Sequence, residues 1–112
     1  MAATYVSNIT INSGEDFSQT FTLESSDSSS PLNLDGYAIT SQMRKYAGSA
    51  TKTDFTTSVV SASNGIIKIV LANTATVNLK AGRYVYDIVI EKDSVKTRVL
   101  EGMVLVRQGV TR

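Results

Sequence analysis

Apolar and polar residues alternate along most of the chain, and the clearest run is 83–91. One set of alternate positions carries the apolar stripe Tyr84, Tyr86, Ile88 and Ile90. The other set carries Arg83, Asp87 and Glu91, with Val85 and Val89 between them. Because successive side chains of a strand point to opposite faces, this run predicts a β-strand with one buried face.

Runs of the same kind occur at 5–11, 17–24, 38–46, 53–60, 66–71 and 95–110. Turn-forming residues separate them, and Ser63-Asn64-Gly65 is the strongest hairpin signal. Residues 72–81 break the alternation and predict a helical turn or a crossover. Short strands at spacings near ten residues are typical of two sheets packed face to face. We therefore predict that residues 1–112 form a single all-β domain.

The segment 79–84 precedes the most regular strand and resembles a corner found in immunoglobulin-like domains. In that corner a tyrosine at the strand start donates its hydroxyl to the upstream backbone. Gly82 and Tyr84 are the candidates for this structural role. The alternative is a core tyrosine whose hydroxyl reaches the rim. The predicted fold is an immunoglobulin-like antiparallel β-sandwich of seven or eight strands.

The last predicted strand is apolar on both faces. One stripe consists of Leu100, Gly102, Val104 and Val106. The other stripe holds Met103 and Leu105. A bulge at Gly102 would exchange the two faces. Either a neighbouring loop covers the second stripe, or Met103 and Leu105 meet another subunit by sheet packing or by addition at a sheet edge.

Charge is unevenly distributed, although the net charge is only +1. Residues 1–43 contain five acids and no base, and the remainder contains eleven bases and five acids. One interpretation is chance clustering on solvated loops. The other is an interface in which the early acidic loops face basic residues of a neighbouring copy, namely Arg83, Lys96, Arg98 and Arg107. The small net charge does not favour nucleic acid or a membrane as partner.

The chain contains no histidine and no cysteine. It therefore lacks the commonest general base and metal ligand, and it also lacks thiol nucleophiles. No nucleophile elbow or phosphate-binding glycine loop is present. We predict that the protein is not an enzyme and has no catalytic residue, cofactor or metal site.

Three segments together resemble a known class of proteins. They are Gly65-Ile66-Ile67-Lys68-Ile69, Gly82-Arg83-Tyr84-Val85-Tyr86-Asp87-Ile88 and Val99-Leu100-Glu101-Gly102-Met103-Val104-Leu105-Val106. The pattern resembles small virion structural proteins of tailed bacteriophages, especially marine ones. It is also similar to the immunoglobulin-like N-terminal domains of upper baseplate proteins.

This resemblance implies a non-enzymatic virion component of the neck, tail, baseplate or head surface. Its partners would be other virion proteins and further copies of itself. Its location would be the virion, or the host cytoplasm before assembly. The alternative function is a glycan- or cell-surface-binding module, with a site formed by the loops 25–30 and 47–51.

Overall fold

The computed structural model describes residues 5–24 and 32–110. This part of the chain forms nine strand segments and one short helix. They are β1 (Tyr5–Val6), β2 (Ile9–Asn12), β3 (Phe17–Thr22), β4 (Ala38–Arg44), β5 (Thr53–Asp54), β6 (Thr56–Ser61), β7 (Ile66–Leu71), α1 (Asn73–Thr76), β8 (Gly82–Lys92) and β9 (Val95–Arg107). The predicted all-β fold is confirmed, and so is the helical turn within 72–81.

Two sheets make up the sandwich. In the larger sheet the order is β1 and β2, then β9, β8, β4 and β5; in the smaller it is β3, β7 and β6. This division of the strands matches the two sheets of immunoglobulin-type sandwiches. The run predicted at 53–60 changes sheets at Phe55, which separates β5 from β6. The Phe55 ring packs between the sheets, with its centroid 6.0 Å from that of Phe17 and 6.3 Å from that of Tyr86.

The inner faces of both sheets enclose one apolar core, as the alternating pattern predicts. Its buried members are Ile9, Ile11, Phe21, Leu23, Leu32, Leu34, Met43, Phe55, Ile67, Ile69, Leu71, Tyr86, Ile88, Ile90, Val99, Leu100, Val104 and Val106. Tyr84, Tyr37 and Ile39 pack partly buried against this core. The apolar stripe predicted on β8 therefore faces inward.

The N-terminal strands depart from the predicted antiparallel sandwich. β1 and β2 run parallel to β9, with Tyr5 opposite Leu100 and Ile9 opposite Val104. Parallel neighbours need a long connection, which here is the whole sandwich between the first and last strands. Over residues 100–107, β9 is consequently hydrogen-bonded on both sides, to β8 and to the N-terminal strands. The hypothesis that Met103 and Leu105 meet a partner by addition at a sheet edge is therefore wrong.

The bulge in β9 lies at Val99, so its predicted position at Gly102 is wrong. Ile88 pairs with Leu100 and Val89 pairs with Arg98, which leaves Val99 as the additional residue. Val99 and Leu100 are both buried as a result. Beyond the bulge, odd-numbered residues of β9 point outward, whereas before it they point inward. Gly102 stays in register, opposite Tyr86.

Gly102 accommodates the joint between β1 and β2. The Ser7 N–H donates to the Glu101 carbonyl at 2.9 Å, and the Met103 N–H donates to the Asn8 side-chain oxygen at 3.0 Å. The Ser7 carbonyl accepts a 2.6 Å hydrogen bond from the Tyr86 hydroxyl. A Cβ atom on Gly102 would lie 2.0 Å from this carbonyl oxygen. The N-terminal strands can therefore dock only because position 102 has no side chain.

Burial of Tyr86 predicts an alkaline sensitivity. The Tyr86 side chain is only 4% exposed, and desolvation raises its pKa from 10.0 to about 12. The folded protein thus holds the phenol proton more tightly than the unfolded chain does. This contribution to the free energy of unfolding is complete below pH 10 and is lost as the pH rises towards 12. The free energy of unfolding, measured with urea across this pH range, should decline more steeply with pH for wild type than for Tyr86→Phe. Tyr46→Phe, at an exposed position, should retain the wild-type slope.

Candidate interaction surface on the larger sheet

The outer face of the larger sheet carries an apolar cluster, which consists of the exposed Val6, Met103 and Leu105 and the half-buried Val85. Met103 and Leu105 on β9 are 47% and 44% exposed, and Val6 on β1 is 74% exposed. Val85 lies directly opposite Met103 on β8. No described loop covers the second apolar stripe of β9, so these side chains face solvent.

A shallow depression of about 640 Å³ adjoins this cluster on the same face. Its lining includes Val6, Val85, Met103, Arg44 and Ala47. The depression lies between the N-terminal strands and β4. The surface therefore has relief that a complementary partner can fill.

One row of charged residues crosses the sheet beside the apolar cluster. Asp87 on β8 lies directly opposite Glu101 on β9. The Arg98 guanidinium bridges the two, with Nε 3.3 Å from Asp87 Oδ2 and Nη1 3.5 Å from Glu101 Oε1. Two carboxylates and one guanidinium leave this acidic row with one surplus negative charge. All three side chains are partly exposed, so the ion pairs themselves stabilise the fold little.

The remaining predicted interface residues lie on the same outer face. Arg83 is opposite Leu105, on the side of the cluster away from the acidic row. Arg107 lies one outward position further along β9, opposite Asn12 on β2. Lys96 lies near the turn between β8 and β9, opposite Glu91. The structure thus brings Met103, Leu105, Arg83 and Arg98 together, and places Arg107 and Lys96 at the two ends of the face.

The early acidic residues do not form one surface. Glu15 and Arg107 line the same small depression, so this acid already neighbours a base of its own chain. Asp16 accepts the Asn73 N–H at 2.7 Å and holds the start of α1. Asp35 lies in the turn before β4, at the opposite end of the sandwich. Asp27 lies outside the described residues, and the early acids within the described residues do not form a single acidic patch. The acidic side chains of the outer face lie instead in the row formed by Asp87 and Glu101.

Tyr84 occupies a corner between α1 and β8. Its hydroxyl donates to the Lys80 carbonyl at 2.7 Å, which links the strand start to the upstream backbone. Gly82 has a φ of +143°, a backbone conformation that favours glycine. The Lys45 ammonium lies 4.9 Å from the Tyr84 ring centroid, in cation–π geometry. These contacts fix the connection from which β8 enters the larger sheet.

Sequence reasoning missed two parts of this surface. Val6 joins the cluster only because β1 lies beside β9, and nothing in the local sequence indicates that pairing. Asp87 and Glu101 face each other only because of the bulge at Val99. A shift of one residue in register would place Glu101 on the buried face. The only sequence signal for this row is the outward position of Asp87 on β8.

Of the two loops suggested for glycan binding, the structure describes only the second. Residues 25–30 lie outside the described part of the chain. In the loop 47–51, the Ser49 carbonyl accepts a hydrogen bond from the Arg44 guanidinium. Tyr46, just before this loop, is 63% exposed.

Metal-ligand clusters and membrane-spanning helices are both absent from the described residues. No three histidine, cysteine, aspartate or glutamate residues within 5–24 and 32–110 cluster as metal ligands would. Within the same ranges, no helix has the length and apolar character needed to span a membrane.

Solved structures share the fold, and two of them illustrate the similarity. The N-terminal domain of phage TP901-1 ORF48 is 11% identical, with a TM-score of 0.54, and the match covers 94% of this chain and 98% of that domain. Listeria monocytogenes InlP is 14% identical, with a TM-score of 0.52, and the match covers 93% of this chain and 27% of InlP. This chain thus spans about a quarter of InlP. No protein-family model and no curated protein matches the sequence. In fold, therefore, the chain is similar to a phage protein domain over nearly the whole of both.

Proposed function

We propose that this protein is a non-enzymatic structural component of a tailed-phage virion, in the neck, tail, baseplate or head surface. It acts through protein–protein contacts made by the outer face of the larger sheet. The observation that carries the proposal is the apolar cluster formed by the exposed Val6, Met103 and Leu105 with the half-buried Val85. An apolar patch with a polar rim is typical of a protein-interaction site. The fold similarity to a phage protein domain supports the virion setting.

The outer face is well suited to a rigid contact. Its central strand β9 is hydrogen-bonded on both sides, so the backbone beneath Met103 and Leu105 is held in place. The apolar side chains provide desolvation energy, and the surrounding charges provide orientation and specificity. Assembly through such a face needs no bound cofactor and no covalent step. Partners of this kind are other virion proteins and further copies of the chain.

Mass spectrometry of purified particles tests this proposal. We expect the chain in particles of the phage that encodes it, at a reproducible copy number. The double change Met103→Ser and Leu105→Ser should reduce incorporation at least about tenfold, because it removes the apolar centre of the contact. Both side chains are exposed, so the variant should fold normally.

The matched control is Val60→Ser combined with Val77→Ser. These valines are similarly exposed, on β6 and just after α1, away from the outer face of the larger sheet. The control should be incorporated at the wild-type level. Absence of the wild-type chain from purified particles would reject the proposed function.

A further inference from the structure

We infer that Asn64-Gly65, in the turn of the β6–β7 hairpin, is a deamidation site that the fold protects and that reacts only when this turn opens locally. The isoaspartyl product of the reaction cannot return to the original conformation of the turn. The inference concerns the lifetime of the folded chain and does not depend on any partner at the outer face of the larger sheet. Its basis is the chemistry of the dipeptide, the conformation of the turn and the contacts of Gly65.

The dipeptide has the chemistry for self-modification. Asn64 is the only asparagine of the chain that precedes a glycine. The Gly65 backbone nitrogen loses its proton and attacks the side-chain carbonyl carbon of Asn64, which closes a cyclic imide. The bond from that carbon to the side-chain nitrogen breaks, and the nitrogen leaves with a proton as ammonia. Water then opens the imide at either carbonyl and gives aspartate or isoaspartate. Glycine favours the attack because it has no side chain to obstruct the approach.

The conformation of the turn keeps the two reacting atoms apart. The Gly65 N–H donates to the Ala62 carbonyl at 3.3 Å, and neither Ser63 nor Asn64 has a positive φ. These features define a type I turn, which is followed by Gly65 with a φ of +67°. Ring closure requires the Gly65 nitrogen and the Asn64 Cβ to be nearly eclipsed about the Asn64 Cα–C bond. The ψ near 0° of a type I turn places them roughly 120° apart.

The Asn64 side chain is held on the side of the preceding strand. Its Nδ2 donates to the Ser61 Oγ at 3.0 Å. The Asn64 residue itself is exposed, so water has access to the amide group. Protection of this site is therefore conformational and does not come from burial of the asparagine.

Backbone contacts hold Gly65 in place from the core side. The Leu23 N–H donates to the Gly65 carbonyl at 2.8 Å, and the Leu34 N–H donates to the Ala62 carbonyl at 2.9 Å. A Cβ atom on Gly65 would lie 2.4 Å from the Leu23 carbonyl oxygen and 2.8 Å from the Leu32 carbonyl oxygen. The peptide unit between positions 64 and 65 cannot rotate into the reactive conformation without breaking these contacts. Local opening at this end of the sandwich is therefore the step that permits the reaction.

The isoaspartyl product cannot restore these contacts. Its main chain runs through the former side chain of Asn64 and is one methylene longer before Gly65. Gly65 would then move against the backbone of Leu23 and Leu32, where an additional carbon atom has no space. The ordinary aspartate product keeps the backbone length and can close again. Each opening that ends in isoaspartate thus removes a folded chain irreversibly.

Peptide mapping over time tests the protection. The folded protein and a synthetic peptide of residues 53–68 are incubated at the same mildly alkaline pH. The tryptic peptide 53–68, which contains Asn64, is then analysed for the loss of the amide and for isoaspartate. Deamidation should be at least about 30-fold slower in the folded protein, because only the open fraction reacts. Equal rates in the protein and the peptide overturn the inference.

Two destabilising variants distinguish local opening from global unfolding. Leu32→Ala removes a buried side chain beside Gly65 and should accelerate deamidation about tenfold. Thr76→Val acts at α1, beyond the opposite end of β7, and should leave the rate within about twofold of wild type. Equal acceleration by both variants would show that the site reacts only from the unfolded chain, and local opening would be wrong.

Ser61→Ala decides if Leu32→Ala does not fold, as judged by circular dichroism. This change removes the acceptor of the Asn64 side chain and should accelerate deamidation about threefold. An unchanged rate would then overturn the inference.

The isolated product tests the irreversible step. The isoaspartyl protein can be separated by ion exchange through its additional negative charge and compared with Asn64→Asp. Both proteins carry the same charge, but only the isoaspartyl chain has the longer backbone. The Leu23 amide hydrogen should exchange at least about tenfold faster in the isoaspartyl protein, whereas Asn64→Asp should match wild type. Equal exchange in the two proteins would contradict the claim that the product cannot close.

Discussion

Replacing Gly102 with alanine should lower the free energy of unfolding by about 3 kcal/mol or more. The new Cβ would lie 2.0 Å from the Ser7 carbonyl oxygen and 2.7 Å from the Ser7 carbonyl carbon. Both are backbone atoms, so no side-chain rotation can relieve the overlap. The joint between β1 and β2 must move, and its hydrogen bonds to Tyr86 and Met103 are then lost.

Urea denaturation measures this effect, and Gly48→Ala is the matched control. The nearest atom to a Cβ on Gly48 is 3.9 Å away, in the Tyr46 side chain. Gly48→Ala should therefore change stability by less than about 0.5 kcal/mol. If Gly102→Ala is no more destabilising than Gly48→Ala, the docking of the N-terminal strands against Gly102 is wrong.

The damage in Gly102→Ala should be concentrated in the N-terminal strands. β1 and β2 pair with β9 alone, so their release leaves the other strands paired. Amide hydrogen exchange should accelerate first at Ser7, whose N–H donates to Glu101. Gly102→Ala should also weaken binding of a partner at the outer face of the larger sheet. Val6 and Asn8 line one side of the depression beside the apolar cluster, and both move with the N-terminal strands.

The strands and their buried faces were predictable because they depend on local sequence. Alternation identified Tyr86, Ile88 and Ile90 as core residues, and all three are at most 4% exposed. Turn residues located the β6–β7 hairpin at Asn64-Gly65. Such patterns report which face of a strand is apolar, and burial of that face is the main driving force of the fold.

The bulge and the parallel strands could not be predicted, because they depend on contacts between distant parts of the chain. Val99 and Leu100 are adjacent apolar residues, and only the register against β8 shows that both point inward. The parallel pairing of β1 with β9 joins residues about 95 positions apart, such as Tyr5 and Leu100. Contacts over such separations depend on the whole topology, and a local pattern carries no information about them.

The candidate interaction surface was also predictable only in part. Met103 and Leu105 were identified from the sequence, because a strand that is apolar on both faces has more apolar surface than one core can bury. The pairing of Asp87 with Glu101 beside them was not, because it requires the register of β8 with β9 and the bulge at Val99. Local sequence thus located the apolar centre, and tertiary structure supplied the charges around it.

The role of Thr76 could not be predicted from local sequence either. Its side chain is completely buried. Its hydroxyl donates to the Glu15 carbonyl at 2.7 Å and accepts the Gly14 N–H at 3.1 Å. The Ser13 hydroxyl donates to the Thr76 carbonyl at 3.2 Å. One side chain therefore connects α1 to the turn between β2 and β3, more than 60 residues earlier.

Thr76→Val should consequently lower the free energy of unfolding by about 2 to 4 kcal/mol. Valine has nearly the same shape, so the loss comes from the Gly14 N–H and the Glu15 carbonyl, which are left without a partner in a partly buried site. Thr76→Ser keeps the hydroxyl and should cost only about 1 kcal/mol, for the missing methyl group. Thr74→Val makes the same change at an exposed position of α1 and should be nearly neutral. Urea unfolding of the three variants ranks them, and equal effects of Thr76→Val and Thr74→Val would contradict the role of the Thr76 hydroxyl as the link between α1 and the β2–β3 turn.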